Sequence, residues 1–200
     1  GLACLNADCT HRWTAPLTSA PNYGMGHPSI ADIDGDGTAE ISLGRTLVDH
    51  DGTVLWTGTG GTGSERHTSI PVDLDGDGVL EIVAGNTVYE ADGAIRWQAS
   101  VEDGMGAVAD LDLDGEPEIL VAEWSGATLH ALNADGTSLW SLPLSDEGGG
   151  PPTVADFDGD GEPEIGLASE AYYRVLEASD GTEIWRQRIK DGSSKRTGSS

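Results

Sequence analysis

Positive charge is scarce in this sequence: ten Lys and Arg stand against 35 Asp and Glu, a formal net charge of −25 over 200 residues. A surface that acidic repels phosphate backbones and anionic headgroups, so nucleic acid is not an expected partner. No apolar run approaches the roughly 18 residues of a membrane span, and no membrane insertion is expected. Nor does a charged-then-apolar leader open the chain; the expectation is that any signal peptide has been removed or lies outside it. Catalytic signatures are missing as well. There is no Gly-x-Ser-x-Gly elbow, His-Glu-x-x-His pair, Cys-His pairing or phosphate loop. The glycine-rich stretches at 58–64 and 147–152 lack the lysine and following helix of a phosphate cradle, and read as connectors. His11, His27, His50, His67 and His130 are scattered and read as surface or strand residues. The expectation is a protein that is not an enzyme.

Cysteine is nearly absent. Cys4 and Cys9 lie five residues apart across an expected turn, where a local Cys4–Cys9 disulfide is the favoured reading and two free thiols the alternative. Zinc would need four ligands, and two cysteines fall short. The pair supports an oxidising compartment only mildly. Hydrophobic content of 37% with six tryptophans nevertheless argues for a folded core.

What the chain has in abundance is one acidic loop, four times over: DIDGDGTAE from Asp32, DLDGDGVLE from Asp73, DLDLDGEPE from Asp110 and DFDGDGEPE from Asp156. Carboxylates stand at loop positions 1, 3, 5 and 9, glycine at 6, and isoleucine follows as Ile41, Ile82, Ile119 and Ile165. Calcium takes six to eight oxygen ligands at roughly 2.3–2.6 Å, and loops that bind it from positions 1, 3, 5 and the position-7 carbonyl turn on a glycine at 6. The expected ligands are therefore Asp32, Asp34, Asp36, the carbonyl of Thr38 and Glu40 in the first loop, and Asp73, Asp75, Asp77, the carbonyl of Val79 and Glu81 in the second. The third offers Asp110, Asp112, Asp114, the carbonyl of Glu116 and Glu118; the fourth offers Asp156, Asp158, Asp160, the carbonyl of Glu162 and Glu164. Four calcium ions would lower the formal negative charge by eight. A helical calcium hand is disfavoured, because its position-12 glutamate is replaced by Leu43, Ala84, Val121 and Leu167, and because the flanks alternate at period two. Carboxylates held by calcium stay ionised, which suits neither a general acid nor a nucleophile.

A second signature interleaves with the first. Asp-Gly turns place a tryptophan five residues after each aspartate: Asp51 and Trp56, Asp92 and Trp97, Asp135 and Trp140, Asp180 and Trp185. Each unit reads strand, acidic loop, strand, link, strand, Asp-Gly hairpin, strand. For the first unit the strands are placed near 28–32, 40–44, 46–50 and 53–58. Loop starts recur after 41, 37 and 46 residues and tryptophans after 41, 43 and 45, the size of a four-stranded propeller blade. The expected fold is an all-β propeller segment with four complete blades at 24–58, 59–99, 100–142 and 143–190. Residues 1–23 form the closing hairpin of a partial blade, and 191–200 start a further blade or linker. The tryptophans are expected to pack between neighbouring sheets.

In these loops the chain resembles the FG-GAP repeat, also called the VCBS-type repeat, of integrin α-subunit propellers and many secreted bacterial proteins. The resemblance covers roughly residues 24–190 and implies calcium between the first two strands of each blade. Integrin loops usually carry aspartate at position 9, where this chain has glutamate with a longer reach. It also implies a secreted or cell-surface protein with calcium as a structural cofactor, working in adhesion or protein interaction. The alternative is a carbohydrate-binding propeller or an accessory module of a polysaccharide-degrading enzyme. The expected partners are a protein or glycan, together with the rest of a longer chain or a neighbouring subunit that completes the propeller. Propellers bind through loops on one face, and opposite the calcium loops the candidates are Arg66, His67, Trp124, Tyr172 and Tyr173.

Overall fold

Within each sheet of the described residues every strand pairs antiparallel with its neighbours. In the computed structural model, which describes residues 1–17, 27–60, 68–126, 128–144, 150–169 and 171–189, the described residues contain eighteen strands and no helix. A hairpin of β1 (Leu2–Leu5) and β2 (His11–Ala15) precedes four sheets of four strands each. The first sheet is β3 (Ser29–Ala31), β4 (Glu40–Leu43), β5 (Thr46–Val48) and β6 (Val54–Thr57). The second is β7 (Ile70–Val72), β8 (Glu81–Ala84), β9 (Thr87–Tyr89) and β10 (Ile95–Gln98). The third is β11 (Gly104–Ala109), β12 (Glu118–Glu123), β13 (Thr128–Leu132) and β14 (Ser138–Pro143). The fourth is β15 (Thr153–Ala155), β16 (Glu164–Ala168), β17 (Tyr172–Glu177) and β18 (Glu183–Arg188). Each sheet is a propeller blade, with strand order following chain order. Arg66 and His67 lie outside the described residues, as do 191–200.

The chain divides into two compact units, Gly1–Gln98 and Ala99–Ser200. Within the first, blades 1 and 2 meet through β3 and β7, with a parallel bridge between His27 and Thr68. Ile33, Leu47, Ile82 and Tyr89 form the core there. Within the second, Leu111, Leu120, Leu129, Ile165, Leu167 and Leu176 fill the space of blades 3 and 4. Burying each such side chain contributes about 1.5–3 kcal/mol.

Burial departs from the period-two reading of the flanks. Strands β5, β9 and β16 are buried at every residue, and β12 at all but its last. A blade's second and third strands are packed on both faces, so both pleat faces need apolar side chains, and runs such as EILVA become continuous rather than alternating.

The Asp-Gly hairpins of blades 1 to 3 are five-residue turns with a bulge. Asp49 N–H donates to the Thr53 carbonyl, Gly52 N–H donates to the Asp49 carbonyl, and Thr53 N–H donates to Asp51 Oδ1. The same bonds recur around Asp92, Asp135 and, in the first hairpin, Asp8, whereas the Asp180 turn is one residue longer, with Glu177 N–H donating to the Thr182 carbonyl and Gly181 N–H to the Glu177 carbonyl. The residue after each aspartate adopts φ between +64° and +93°, a conformation that favours glycine. Cys9 holds that place in the first hairpin. Cys4 and Cys9 are free thiols, so the disulfide reading is corrected: Cys4 lies in β1 opposite Trp13 while Cys9 caps the turn exposed. Backbone bonds between Asn6 and Thr10 close the hairpin in its place.

Candidate metal centres

Each acidic loop joins the first strand of a blade to the second, and backbone bonds to its own carboxylates shape it. The position-1 carboxylate accepts from the position-6 glycine: Gly37 to Asp32, Gly78 to Asp73 and Gly115 to Asp110 at 3.0 Å, and Gly161 to Asp156 at 3.1 Å. Position 3 accepts from the position-5 N–H at 3.1–3.3 Å, and position 5 from the position-7 N–H at 2.7–2.8 Å. The position-9 glutamate reaches back, accepting on Oε2 from Ile33, Leu74, Leu111 and Phe157 N–H at 2.8, 2.8, 2.6 and 2.5 Å. This ladder turns the carboxylates inward and leaves further oxygens for a ligand.

The oxygens converge. One from each of Asp156, Asp158, Asp160 and Glu164 lies within 4.8 Å of the others, and the same holds for Asp32, Asp34 and Asp36, for Asp73, Asp75 and Glu81, and for Asp110, Asp112 and Glu118. Glu40, Glu81, Glu118 and Glu164 are 2–3% exposed. Burial pushes the carboxyls of Glu40, Glu81 and Glu118 above the usual range, and the neighbouring aspartates push the same way. In the third loop Asp110 Oδ1 is buried with no hydrogen-bond partner. A carboxylate oxygen buried without a donor is costly unless a cation meets it. An all-oxygen set of hard anionic donors of this kind fits calcium. When bound, the ion would supply charge neutralisation and cross-link the first two strands of a blade through the loop.

Position 4 is a left-handed residue in all four loops: Gly35, Gly76 and Gly159, but Leu113 in the third, at φ +62° and 57% exposed. In the second and fourth loops the position-4 N–H donates to the position-1 Oδ1, from Gly76 to Asp73 and from Gly159 to Asp156.

Arg96 has no counterpart in the other blades and escaped the sequence reading. On β10, its Nη2 donates to Asp75 Oδ2 at 2.9 Å and its Nη1 lies 3.1 Å from Glu81 Oε1. A guanidinium thus sits on two carboxylates of the second loop. The available signal was the residue before the tryptophan of each complete blade: Leu55, Leu139 and Ile184 are apolar where Arg96 is charged. Also unforeseen is buried His130, with Nδ1 2.8 Å from Ser141 Oγ and Nε2 3.0 Å from Glu123 Oε1.

The aromatic candidates on the opposite face are built into the blades. Trp124 lies in the β12–β13 turn, its backbone N–H donating to the Asp103 carbonyl. Tyr173 packs at 6.0 Å from the Trp185 ring, and Tyr172 has the guanidinium of Arg186 over its ring at 5.0 Å.

Residues 110–167, from the third loop through the fourth, match the model of the FG-GAP-like repeat. No curated protein matches the sequence. Among solved structures, the biofilm matrix protein Bap1 of V. cholerae is similar at 26% identity and a TM-score of 0.66, over 81% of this chain and 28% of that one. The exotype rhamnogalacturonan lyase YesX is similar at 19% identity and a TM-score of 0.63, over 94% and 42%. The Bacillus licheniformis rhamnogalacturonan lyase PL11 is similar at 20% identity and a TM-score of 0.53, over 74% and 26%. The chain therefore spans between a quarter and somewhat under half of these proteins, and the two lyases speak to fold alone.

Proposed function

From a chain that carries the FG-GAP-like repeat and folds as propeller blades, we infer a calcium-stiffened segment of an extracellular protein that works by adhesion or protein interaction rather than catalysis. The observation that carries the metal is the convergence of carboxylate oxygens in all four loops, with Asp110 Oδ1 left to be met. The ion folds and stiffens the blades; no reacting group is needed. Likeness to a biofilm matrix protein over 81% of the chain supports an adhesive, extracellular setting. Extracellular calcium is millimolar, a level suited to modules of modest affinity.

The calcium-loaded chain, immobilised and offered both a protein extract from cell surfaces and a glycan array, is expected to retain a protein partner and to leave the array blank. Chelator should release that partner. Array binding that Trp124→Ala abolishes would instead make this a carbohydrate-binding propeller, and a calcium-independent partner would sever the metal from the function.

The four sites are not equivalent in this reading. Arg96 already neutralises Asp75 and Glu81, so a dication entering the second loop meets a fixed positive charge a few ångströms away. Coulomb repulsion at that distance weakens binding roughly tenfold even in a high dielectric. Calcium titration followed by native mass spectrometry should show three ions bound before the fourth, and Arg96→Leu, the residue type of blades 1 and 3, should merge the fourth step with the others. A four-ion isotherm unchanged by the substitution would remove Arg96 from the account.

A further inference from the structure

Three of the ten Lys and Arg in this acidic chain stand on one face of blade 4. The strand register fixes that face: Ile165 pairs with Leu176, Leu167 with Arg174, Arg174 with Arg186 and Tyr172 with Arg188. Cross-strand partners point to the same side of a sheet, as do residues two apart along a strand. Tyr172, Arg174, Arg186 and Arg188 therefore share a face with Leu167 and Leu176, which pack in one core with Leu120 and Leu129 of blade 3. The cluster lies on the blade-3 side, within the second compact unit, at the end of β17 and β18 remote from the acidic loop. Tyr173 and Trp185 point to the other side and take no part.

Burial is graded along the cluster. Arg174 is 5% exposed, and its Nη1 donates to Glu183 Oε2 at 2.7 Å. Arg186 keeps 46% of its side chain exposed; its guanidinium lies over the Tyr172 ring at 5.0 Å, and its Nε stands 3.6 Å from Glu183 Oε1. Arg188 is exposed and pairs with no carboxylate among the described residues. Stacking on Tyr172 uses the flat face of the Arg186 guanidinium and leaves its in-plane N–H groups for an acceptor, the geometry in which arginine takes a carboxylate through two parallel bonds. The Tyr172 ring, with Arg186 at 5.0 Å and Arg174 at 6.0 Å, serves guanidinium groups rather than a stacked sugar. The charge of the remaining surface sets the size of the ligand. Exposed charges more than about 8 Å away are largely screened at physiological salt, so a short acidic run confined to the cluster is accepted, whereas a long polyanion lying across the acidic remainder is repelled.

We propose that Tyr172, Arg186 and Arg188 form a docking site for a short acidic peptide segment of a protein partner, with carboxylates of that segment meeting Arg186 and Arg188 while Arg174 and Glu183 brace the cluster. The site rests on the reading of this chain as a protein-interaction module and gives that partner its chemistry.

The test uses the calcium-saturated chain and three labelled probes followed by fluorescence anisotropy: a peptide of alternating Glu and Ser, its counterpart with Gln for Glu, and a uronic-acid oligosaccharide. The Glu peptide is expected to bind, more weakly as salt rises, and the Gln peptide is not. Arg186→Gln combined with Arg188→Gln should lower the affinity about tenfold. Arg186→Lys should lower it severalfold, because the charge stays while the planar fork is lost. Arg12→Gln, which removes an exposed charge from β2, should leave it unchanged. Calorimetry checks that the variants melt like the parent, as substitutions at exposed positions should. Should the double variant unfold, Arg188→Glu is the second arm, expected to abolish binding of the Glu peptide by charge reversal. No binding of the Glu peptide, or an equal loss with Arg12→Gln, overturns the proposal. So does arginine-dependent binding of the oligosaccharide alone, which would give the face to a glycan. A cell-surface partner recovered equally well by the double variant overturns the site and leaves the adhesive reading standing. Failure of the unsubstituted chain to recover any such partner, with the Glu peptide still bound through Arg186 and Arg188, supports the site and removes the adhesive reading.

Discussion

Excess chelator is expected to lower the melting temperature of this protein by tens of degrees. At a hundredfold excess of calcium over its dissociation constant, each site stabilises the fold by about 2.7 kcal/mol, and four sites together by about 10 kcal/mol. For a chain of this size each kcal/mol moves the midpoint by about 2–4 °C. The sign of the pH dependence should also invert with the metal. In the metal-free fold, burial raises the carboxyls of Glu40, Glu81 and Glu118, so between their unfolded and folded ranges the folded state binds more protons than the unfolded one. That contribution is fully present in acid and is lost as pH rises through the folded values. The metal-free protein should therefore melt lower at pH 7 than at pH 5. Aspartates such as Asp36, Asp51, Asp135 and Asp180, held low by threonine hydroxyls, titrate below that window. With saturating calcium the order should reverse, because the ion requires deprotonated ligands. Calorimetry at the two pH values, with calcium and with chelator, measures all four midpoints. Identical melts with and without chelator would end the structural role given to calcium.

Trp56→Ala should be the most damaging single substitution in the joints between blades. Trp56 packs at 5.5 Å from the Tyr89 ring, rests on Gly93 and donates to the Ala91 carbonyl. Truncation leaves a cavity between two blades and an acceptor without its donor, at a cost of about 3–5 kcal/mol, or about 10 °C in the midpoint. Trp185→Ala is the matched control: the same residue at the same repeat position, 47% exposed, should cost well under half as much. Denaturant melts of the two variants under saturating calcium separate these expectations. Equal losses would mean that the joint contributes little beyond the strand itself.

The contrast between those two tryptophans marks how far the sequence could be read. The local environments LVDHDGTVLW and LEASDGTEIW carry the same Asp-Gly turn and the same tryptophan spacing, and in both the aspartate side chain accepts from the N–H two residues on. What covers the Trp56 ring comes from a hairpin some 35 residues further on, where its Nε1 donates to the Ala91 carbonyl. The Cys4–Cys9 expectation failed for a related reason. Spacing alone allowed a clasp, whereas the backbone turn puts Cys9 where the other hairpins have glycine and leaves both thiols free.

The acidic loops and the hairpins were determined by sequence alone, because each closes through bonds spanning no more than about ten residues, and a strict spacing of Asp, Gly and Glu is enough to specify them. Only the tertiary structure decided that the position-9 glutamates are buried, that the second and third strands of a blade are covered on both faces, that Arg96 reaches across a blade onto the second loop, and that Trp185 stands uncovered. Those properties depend on which surfaces meet, and burial and charge proximity between distant segments leave no period in the sequence to read.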